Sequence, residues 1–570
     1  MAHSTTKKEP KTTKNRQWGR KEVASNLIQF EEIRSKKNSQ REATKEMGIP
    51  RTSVQYWLKR RDELDASPVV KAFFESPEGL AFLHRLVMAA RFVILSLSPG
   101  SIQIVCFFLE LSNLDVFVAS SHGTQQKAAV AMEKEMVVFG QEERARLAPI
   151  MEPKKVTVCE DETFHPDICL VAVEPLSNYI ILEEYATQRD AKTWTEAMQE
   201  ALSDLPVSII QVTSDEAKAL KRHTEVELGV HHSPDLFHGQ HEIGKGIFLP
   251  LSSQINRAKE EHEKAVQEAQ RLLKERQDWE SQPRHRTGKS PDFAKLIHMA
   301  DWRDAATEVD LENAIARKKR AKEILGEIGS AYHPFDLGTG GPRQAEQVER
   351  LIEQSFSDLN AIAREAQLPD RAIQHIEKAH RLVPSMVETI AFFWSIVSIS
   401  LKKLDLPWEI ELAMMQNLIP AFYLRYAAGK AKKAIDRKTI LEVSEKLLAP
   451  LRDPDGPLSI LDKDQIRHLE RVAKECAGFF QRSSSCVEGR NGQLALHHHS
   501  QHNISRRKLQ TLTVVHNFCI KRPDGTTAAE RFFGNKPRDL FEHLLARLDL
   551  PARPAKRRSQ PASQQWQIAA

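Results

Sequence analysis

Six cysteines, at positions 106, 159, 169, 476, 486 and 519, are scattered through 570 residues without a Cys-x-x-Cys pair. That spacing excludes a disulfide framework and a cysteine zinc site, and it reads as reduced thiols of an intracellular protein. The basic N-terminal stretch is not followed by an apolar segment, so a secretory signal is not expected. Long apolar runs are missing too: residues 80–98 are broken by His84, Arg85 and Arg91, and residues 389–401 are too few to cross a bilayer. Both are expected as buried helices, with no membrane partner and a soluble, cytoplasmic, nucleoid-associated location. The glycines of Gly338-Thr-Gly-Gly-Pro342 come without the lysine or the preceding strand of a phosphate-binding loop. Residues 333–342 therefore read as a linker. No repeat of fixed period occurs.

What is present is unevenly placed. The net charge is +5, but residues 1–65 hold 16 Lys/Arg against 9 Asp/Glu, a balance of +7, which leaves 66 against 68 for the rest. A polyanion is therefore expected to meet the N-terminal segment rather than the whole surface. Residues 39–61 predict two short helices. Ala43 and Met47 share one face of the first, Gly48 suits a turn with positive φ, and Pro50 opens the second. Val54, Trp57 and Leu58 then face inward and Arg51, Gln55, Tyr56 and Lys59 outward. The pattern resembles the helix-turn-helix of transposases and related regulators, in which the second helix enters the major groove. An amphipathic hairpin with a solvated basic face is the plainer alternative.

Length calls for several domains. Residues 1–19 read as a disordered basic tail, 20–66 as the helix-turn-helix domain and 67–152 as a helical domain, with a faint second DNA-reading signal at 125–140. At 153 the period changes. Residues 155–161, 168–174 and 179–185 read as strands, 190–205 as a helix, 207–213 as a strand, 216–228 as a helix and 231–238 as a fifth strand. This is the order of an RNase H-like fold. From 246 to 475 only helices are expected, with a weak heptad seam in 252–281 pairing antiparallel with 309–328, and further helices at 343–366, 369–404, 408–430 and 436–449. Residues 476–535 return to the core and 536–570 form a C-terminal tail. The fold class is thus multi-domain and predominantly α, with an α/β RNase H-like core of mixed sheet interrupted by an all-helical insertion.

Phosphodiester cleavage with two divalent cations needs two or three converging carboxylates. Asp161 closes the first strand in phase with Thr157 and Cys159, though Glu160 and Glu162 compete for the role. Asp215 follows the fourth strand, where it would also serve as a helix N-cap. Glu488, taken alone, is an ordinary helix residue. Around it Arg490, Arg506, Arg507 and Lys508 stand in a stretch without acids, which suits a phosphate-holding surface or a solvated basic face. His497–His499 reads as a polar loop, since three consecutive histidines cannot face one ion from a helix.

Residues 153–241 resemble the first half of the catalytic domain of DDE transposases in the retroviral-integrase superfamily. The resemblance is carried by the Asp-Glu-Thr at 161–163, by Asp235-Leu-Phe-His238 after the second aspartate, by Val487–Leu494, by Val515-His-Asn-Phe518 and by Thr527–Gly534. Between Asp215 and Glu488 lie 273 positions (488 − 215), where larger members insert an all-helical domain. The resemblance implies a DNA transposase, likewise an oligomer on DNA, in which Asp161, Asp215 and Glu488 hold two Mg²⁺ or Mn²⁺ ions for cleavage and strand transfer at element ends. Alternatives are a catalytically inactive DNA-binding regulator and a nuclease without strand transfer.

Overall fold

The computed structural model describes residues 18–37, 39–281, 291–550 and 553–554. Most of the expected tails, 1–17 and nearly all of 551–570, lie outside the described residues. Helices α1 (Arg20–Lys37), α2 (Gln40–Glu46) and α3 (Arg51–Asp62) open the chain. Leu27, Phe30, Ala43, Ile49, Val54 and Trp57 close them around one small core. Gly48 turns between α2 and α3 at φ +65, a left-handed conformation that a side chain would strain.

Next come α4 (Pro68–Phe74), α5 (Pro77–Phe92), α6 (Ile102–Leu111) and α7 (His122–Leu147). Leu80, Leu83 and Val87 of α5 pack with Leu109, Leu114, Phe117 and Val118 in one core, which Ala24 of α1 joins. Met88, Phe92, Met132 and Phe139 pack with Val156, Leu170 and Phe518 of later elements. A Cβ on Gly140 would fall 2.5 Å from Val514, so glycine is what lets α7 lie this close to a C-terminal helix. Over 125–140, Met132, Met136 and Phe139 are buried in this core and Gln125 is buried against Arg91, while Lys127 and Lys134 stay exposed.

One mixed sheet follows: β1 (Lys154–Phe164), β2 (Ile168–Glu174), β3 (Tyr179–Ala186), β4 (Val207–Ser214) and β5 (His231–Pro234), in the order β3-β2-β1-β4-β5. β1–β2 and β2–β3 run antiparallel, and β1–β4 and β4–β5 parallel. Alternation splits the strands between two cores. Val156, Val158, Leu170 and Ala172 face α5–α7, and Cys159, Cys169, Val171 and Val173 face the opposite side. Both faces are covered, which explains why the strands read as nearly unbroken apolar runs. α8 (Ala191–Leu202) is capped by Asp190, and α9 (Lys218–Arg222) starts two residues later than the expected 216.

The fifth strand is half its expected length. β5 stops at Pro234, and Asp235 accepts from the Phe237 amide to start the 45-residue α10 (Leu236–Glu280). Helix therefore replaces the expected strand from Leu236 onward. α11 (Phe293–Ala331) lies antiparallel to α10 along its length: Ser252 meets Lys318 at 2.8 Å, His262 meets Thr307 at 3.3 Å, and Leu272 packs near Ala300. The partner of the heptad seam is thus longer than 309–328.

α12 (Ala345–Glu365), α13 (Asp370–His380), α14 (Val383–Lys402), α15 (Trp408–Ala413), α16 (Ile419–Lys430), α17 (Ala434–Leu448) and α18 (Lys463–Gly478) complete one large helical core. The single helix expected over 369–404 is two, because Pro384 near the start of α14 lacks the amide that a continuous helix would need. The 333–342 linker reading is also corrected. His333 and Phe335 are buried, Phe335 bridges to Pro342, and Arg343 holds Asp336 and the Ser330 carbonyl.

Past the insertion run α19 (Ser485–Gln501), α20 (Arg506–Phe518), α21 (Ala528–Phe533) and α22 (Leu540–Arg547). The last lies where only a tail was expected. Leu540 and Leu544 are buried, and His543 meets Glu135 of α7 at 2.9 Å. The architecture is predominantly helical around a single five-stranded mixed sheet. Two helical stretches, Pro77–Leu97 and Asp370–Lys402, are long and apolar enough to cross a membrane, and both contribute side chains to the cores just described.

Candidate functional site

The sheet sets the first two acids side by side. β1 pairs with β4 through Thr157–Gln211, Val158–Val212 and Cys159–Thr213. Two residues further along this parallel register, Asp161 comes level with Asp215 at the carboxyl ends of adjacent central strands. Alternation also separates Asp161 from its neighbours. Glu160 points to the opposite face, fully buried, with His223 Nε2 at 3.5 Å. Glu162 accepts from Trp194 Nε1 at 3.2 Å and pairs with Arg189 at 3.3 Å. Of the three consecutive acids, Asp161 alone shares the face on which α19 lies.

Asp215 does not cap the next helix, whose N-cap is Ala217; its Oδ1 accepts from the Ala217 amide at 3.0 Å in a tight turn. Glu488 comes from the first turn of α19. Val487 and Leu494, seven residues apart, anchor that helix on Cys159, Cys169 and Val171. Glu488 and Asn491 are one turn apart on the neighbouring face, and Asn491 Nδ2 donates to Asp161 Oδ2 at 2.9 Å. Helical spacing alone sets Asn491 one turn from Glu488, whereas its contact with Asp161 spans 330 positions and has no local signal.

Burial is the main cause that raises the Asp161 carboxyl to about 7. The backbone amide of Glu162 opposes it, Glu488 adds to it, His238 opposes and Asp215 adds. Asp161 of β1 thus feels both Asp215, just past β4, and Glu488 of α19, 327 positions away (488 − 161). Among the described residues no three acid, histidine or cysteine side chains close on a single point in metal-binding geometry. His238 completes the surroundings, 3.9 Å from Glu488 and 3.8 Å from Asp235. Asp235 is buried and accepts from Ser484 Oγ, and the Leu236 amide donates to the Arg482 carbonyl at 2.9 Å. The start of α10 and the residues just before α19 therefore meet beside the acids.

The basic residues expected to hold phosphate are otherwise employed. Arg490 is buried and forks onto Glu183 of β3, with Nε–Oε1 at 2.7 Å and an Nη2–Oε2 contact of 2.6 Å. Lys508 is buried, donates to the Leu95 carbonyl and lies 3.8 Å from Glu133. Arg507 pairs with the same Glu133 at 2.9 Å, and Arg506, though exposed, donates to the Tyr185 carbonyl at 3.2 Å. The stretch lacks acids because its acids come from β3 and α7. His497–His499 is helical rather than a loop, and burial lowers His497 to about 4.

Val515–Phe518 does structural work at the sheet edge. Asn517 accepts from the Ile180 amide at 2.9 Å and donates to the Ile180 carbonyl at 3.0 Å, taking the place of a neighbouring strand. On the N-terminal unit, Arg51, Gln55, Tyr56 and Lys59 are all exposed along one side of α3, with Arg51 within 3.1 Å of Gln55.

Compared with known proteins, no curated protein and no solved structure matches the chain. Residues 414–560, which carry Glu488, Asn491 and the sheet-edge helix α20, are similar to a family of unknown function, DUF6399.

Proposed function

We propose that this chain is a DNA transposase of the DDE type, with α2–α3 reading DNA and Asp161, Asp215 and Glu488 as its catalytic acids. The observation that carries the reading is the convergence of these carboxylates beside Asp161, whose proton affinity is raised first by burial and then by Glu488, with Asp215 adding least. The strand order β3-β2-β1-β4-β5, with its first three strands antiparallel and the last two parallel to β1, supports an RNase H-like core. The meeting of Asp235–Leu236 with Arg482–Ser484 supports a core split by an insertion.

The acids fit a hard divalent cation: three oxygen donors that repel one another lose that penalty when a cation sits among them. Two Mg²⁺ or Mn²⁺ ions held by Asp161, Asp215 and Glu488 would supply the charge that activates an attacking oxygen and steadies a leaving one. Asn491 fixes the orientation of Asp161, and α19 brings Glu488 to it. Exposed Arg51, Gln55, Tyr56 and Lys59 suit contacts to phosphates and base edges from a helix in the major groove.

The test uses DNA carrying the sequences that flank the gene, with Mg²⁺ or Mn²⁺. Wild-type protein is expected to nick this DNA and join the freed 3′ end to a second duplex. Glu488→Gln, which keeps shape and removes charge, is expected to lose both products while melting as the wild type does in EDTA. Cutting by Glu488→Gln at the wild-type rate would remove it from the site. Nicking without joining would favour a plain nuclease.

A further inference from the structure

The α10–α11 hairpin carries two apolar seams, and the chain itself uses one. Along α11, Ala300, Thr307, Ala314, Ala321 and Ile328 recur every seventh residue and face α10 or the helical core, where most of them are buried. A second seam runs along the opposite side: Met299, Trp302, Ala306, Val309, Asn313 and Ala316. Its steps of three and four alternate as a coiled-coil seam requires, and none of the six is charged. Trp302 is 72% exposed, Met299 59% and Val309 53%. A solvated indole in an ordered apolar stripe marks a surface that another surface covers.

The flanking charges indicate which surface. Arg303 follows Trp302 and Asp310 follows Val309, so both hold the same heptad position; both are exposed, and neither forms an ion pair among the described residues. Opposite charges at one heptad position of one helix meet when two copies of that helix run antiparallel. Setting Trp302 against Ala306 of a second copy also sets Met299 against Val309, and brings Arg303 to Asp310. Each pair then occurs twice by symmetry, large against small and plus against minus. A parallel alignment would instead stack Trp302 on its own copy.

We propose that the outer seam of α11 docks antiparallel on the same seam of a second copy of this chain, so that the hairpin arm is a homodimer contact. The contact needs neither DNA nor metal and stands independently of the reading of the acids. The experiment is sedimentation equilibrium of the full-length chain, free of DNA, over a concentration series. Wild-type protein is expected to dimerise reversibly, and Trp302→Glu to weaken the dimer by at least about tenfold. Arg303→Asp and Asp310→Arg are each expected to weaken it, and the two together to recover it to within about threefold of the wild type. All three positions are exposed, so each variant should keep the wild-type melting temperature. A wild-type chain that stays monomeric, a Trp302→Glu dimer as tight as wild type, or a double charge swap no tighter than the singles would overturn the proposal.

Discussion

Asp161 concentrates the electrostatic strain of the site in one side chain. Its carboxyl is raised from an ordinary 3.8 to about 7, so between these values the folded protein binds a proton that the unfolded chain releases. Stability contributed by this group therefore falls as pH rises from about 4 to 7. In EDTA at pH 8, Asp161→Asn is expected to be more stable than wild type by on the order of 2–4 kcal/mol, and the difference should vanish below about pH 4. Urea unfolding at three pH values measures this; a variant that is no more stable at pH 8 would show the acid to be relaxed. Arg490 presents the opposite case. Its pairing with buried Glu183 leaves nothing for phosphate, and Arg490→Met should destabilise the fold by about 3–5 kcal/mol by stranding a buried carboxylate. Arg490→Met with Glu183→Met should recover most of that loss. Equal damage in the single and double variants would refute the pair.

At the scale of elements, the parts with local signals were legible. The alternating apolar strands, the Gly48 turn and the outward face of α3 all follow from residues within a few positions of one another. Where the expectation failed, a partner distant in sequence decided the outcome. Residues 235–238 were expected to prolong the fifth strand, yet Asp235 finds the Phe237 amide and Ser484 and starts a helix. Residues 540–547 looked like a tail until α5 and α7 supplied a surface for Leu540 and Leu544. The helix α20 shows how such a partner acts. Asn517 closes the edge strand β3 with two hydrogen bonds that no residue near it in sequence foretells. Asn517→Ala is expected to cost about 1–3 kcal/mol, since both Ile180 groups lose their partner in a buried position. Hydrogen exchange should show the Ile180 amide losing protection. Unchanged protection would mean that α20 does not seal the edge.

Over the whole molecule, the division into domains is looser than sequence composition implied. Met88, Phe92, Met132, Met136 and Phe139 share a core with the sheet and with α20–α22, while Leu80, Leu83, Leu109 and Phe117 close a second core with Ala24 of α1, so 67–152 is not a separate unit. The glycine- and proline-rich loop at 333–342 is similarly drawn in, with Arg343 held by Asp336 and its carbonyl accepting from Trp394 Nε1 at 2.8 Å. Trypsin under native conditions is therefore expected to spare the bond after Arg343 while cutting exposed sites elsewhere. Mass spectrometry of a digestion time course decides this, and an early cut there would restore the linker reading.

The sequence by itself determined what depends on near neighbours: strand phase, which put Asp161 rather than Glu160 on the open face, the Gly48 turn, and the exposed side of α3. Only the tertiary structure decided which charges are available. Arg490, Arg507 and Lys508 read as a free basic surface because their acids, Glu183 and Glu133, lie more than 300 positions away in sequence. Charges pair through space, and a chain of 570 residues brings distant segments within 4 Å in ways that spacing along it does not encode. The same physics joined Glu488 and Asn491 to Asp161, where the packing of Val487 and Leu494 on the sheet, not any local pattern, fixed the place of α19.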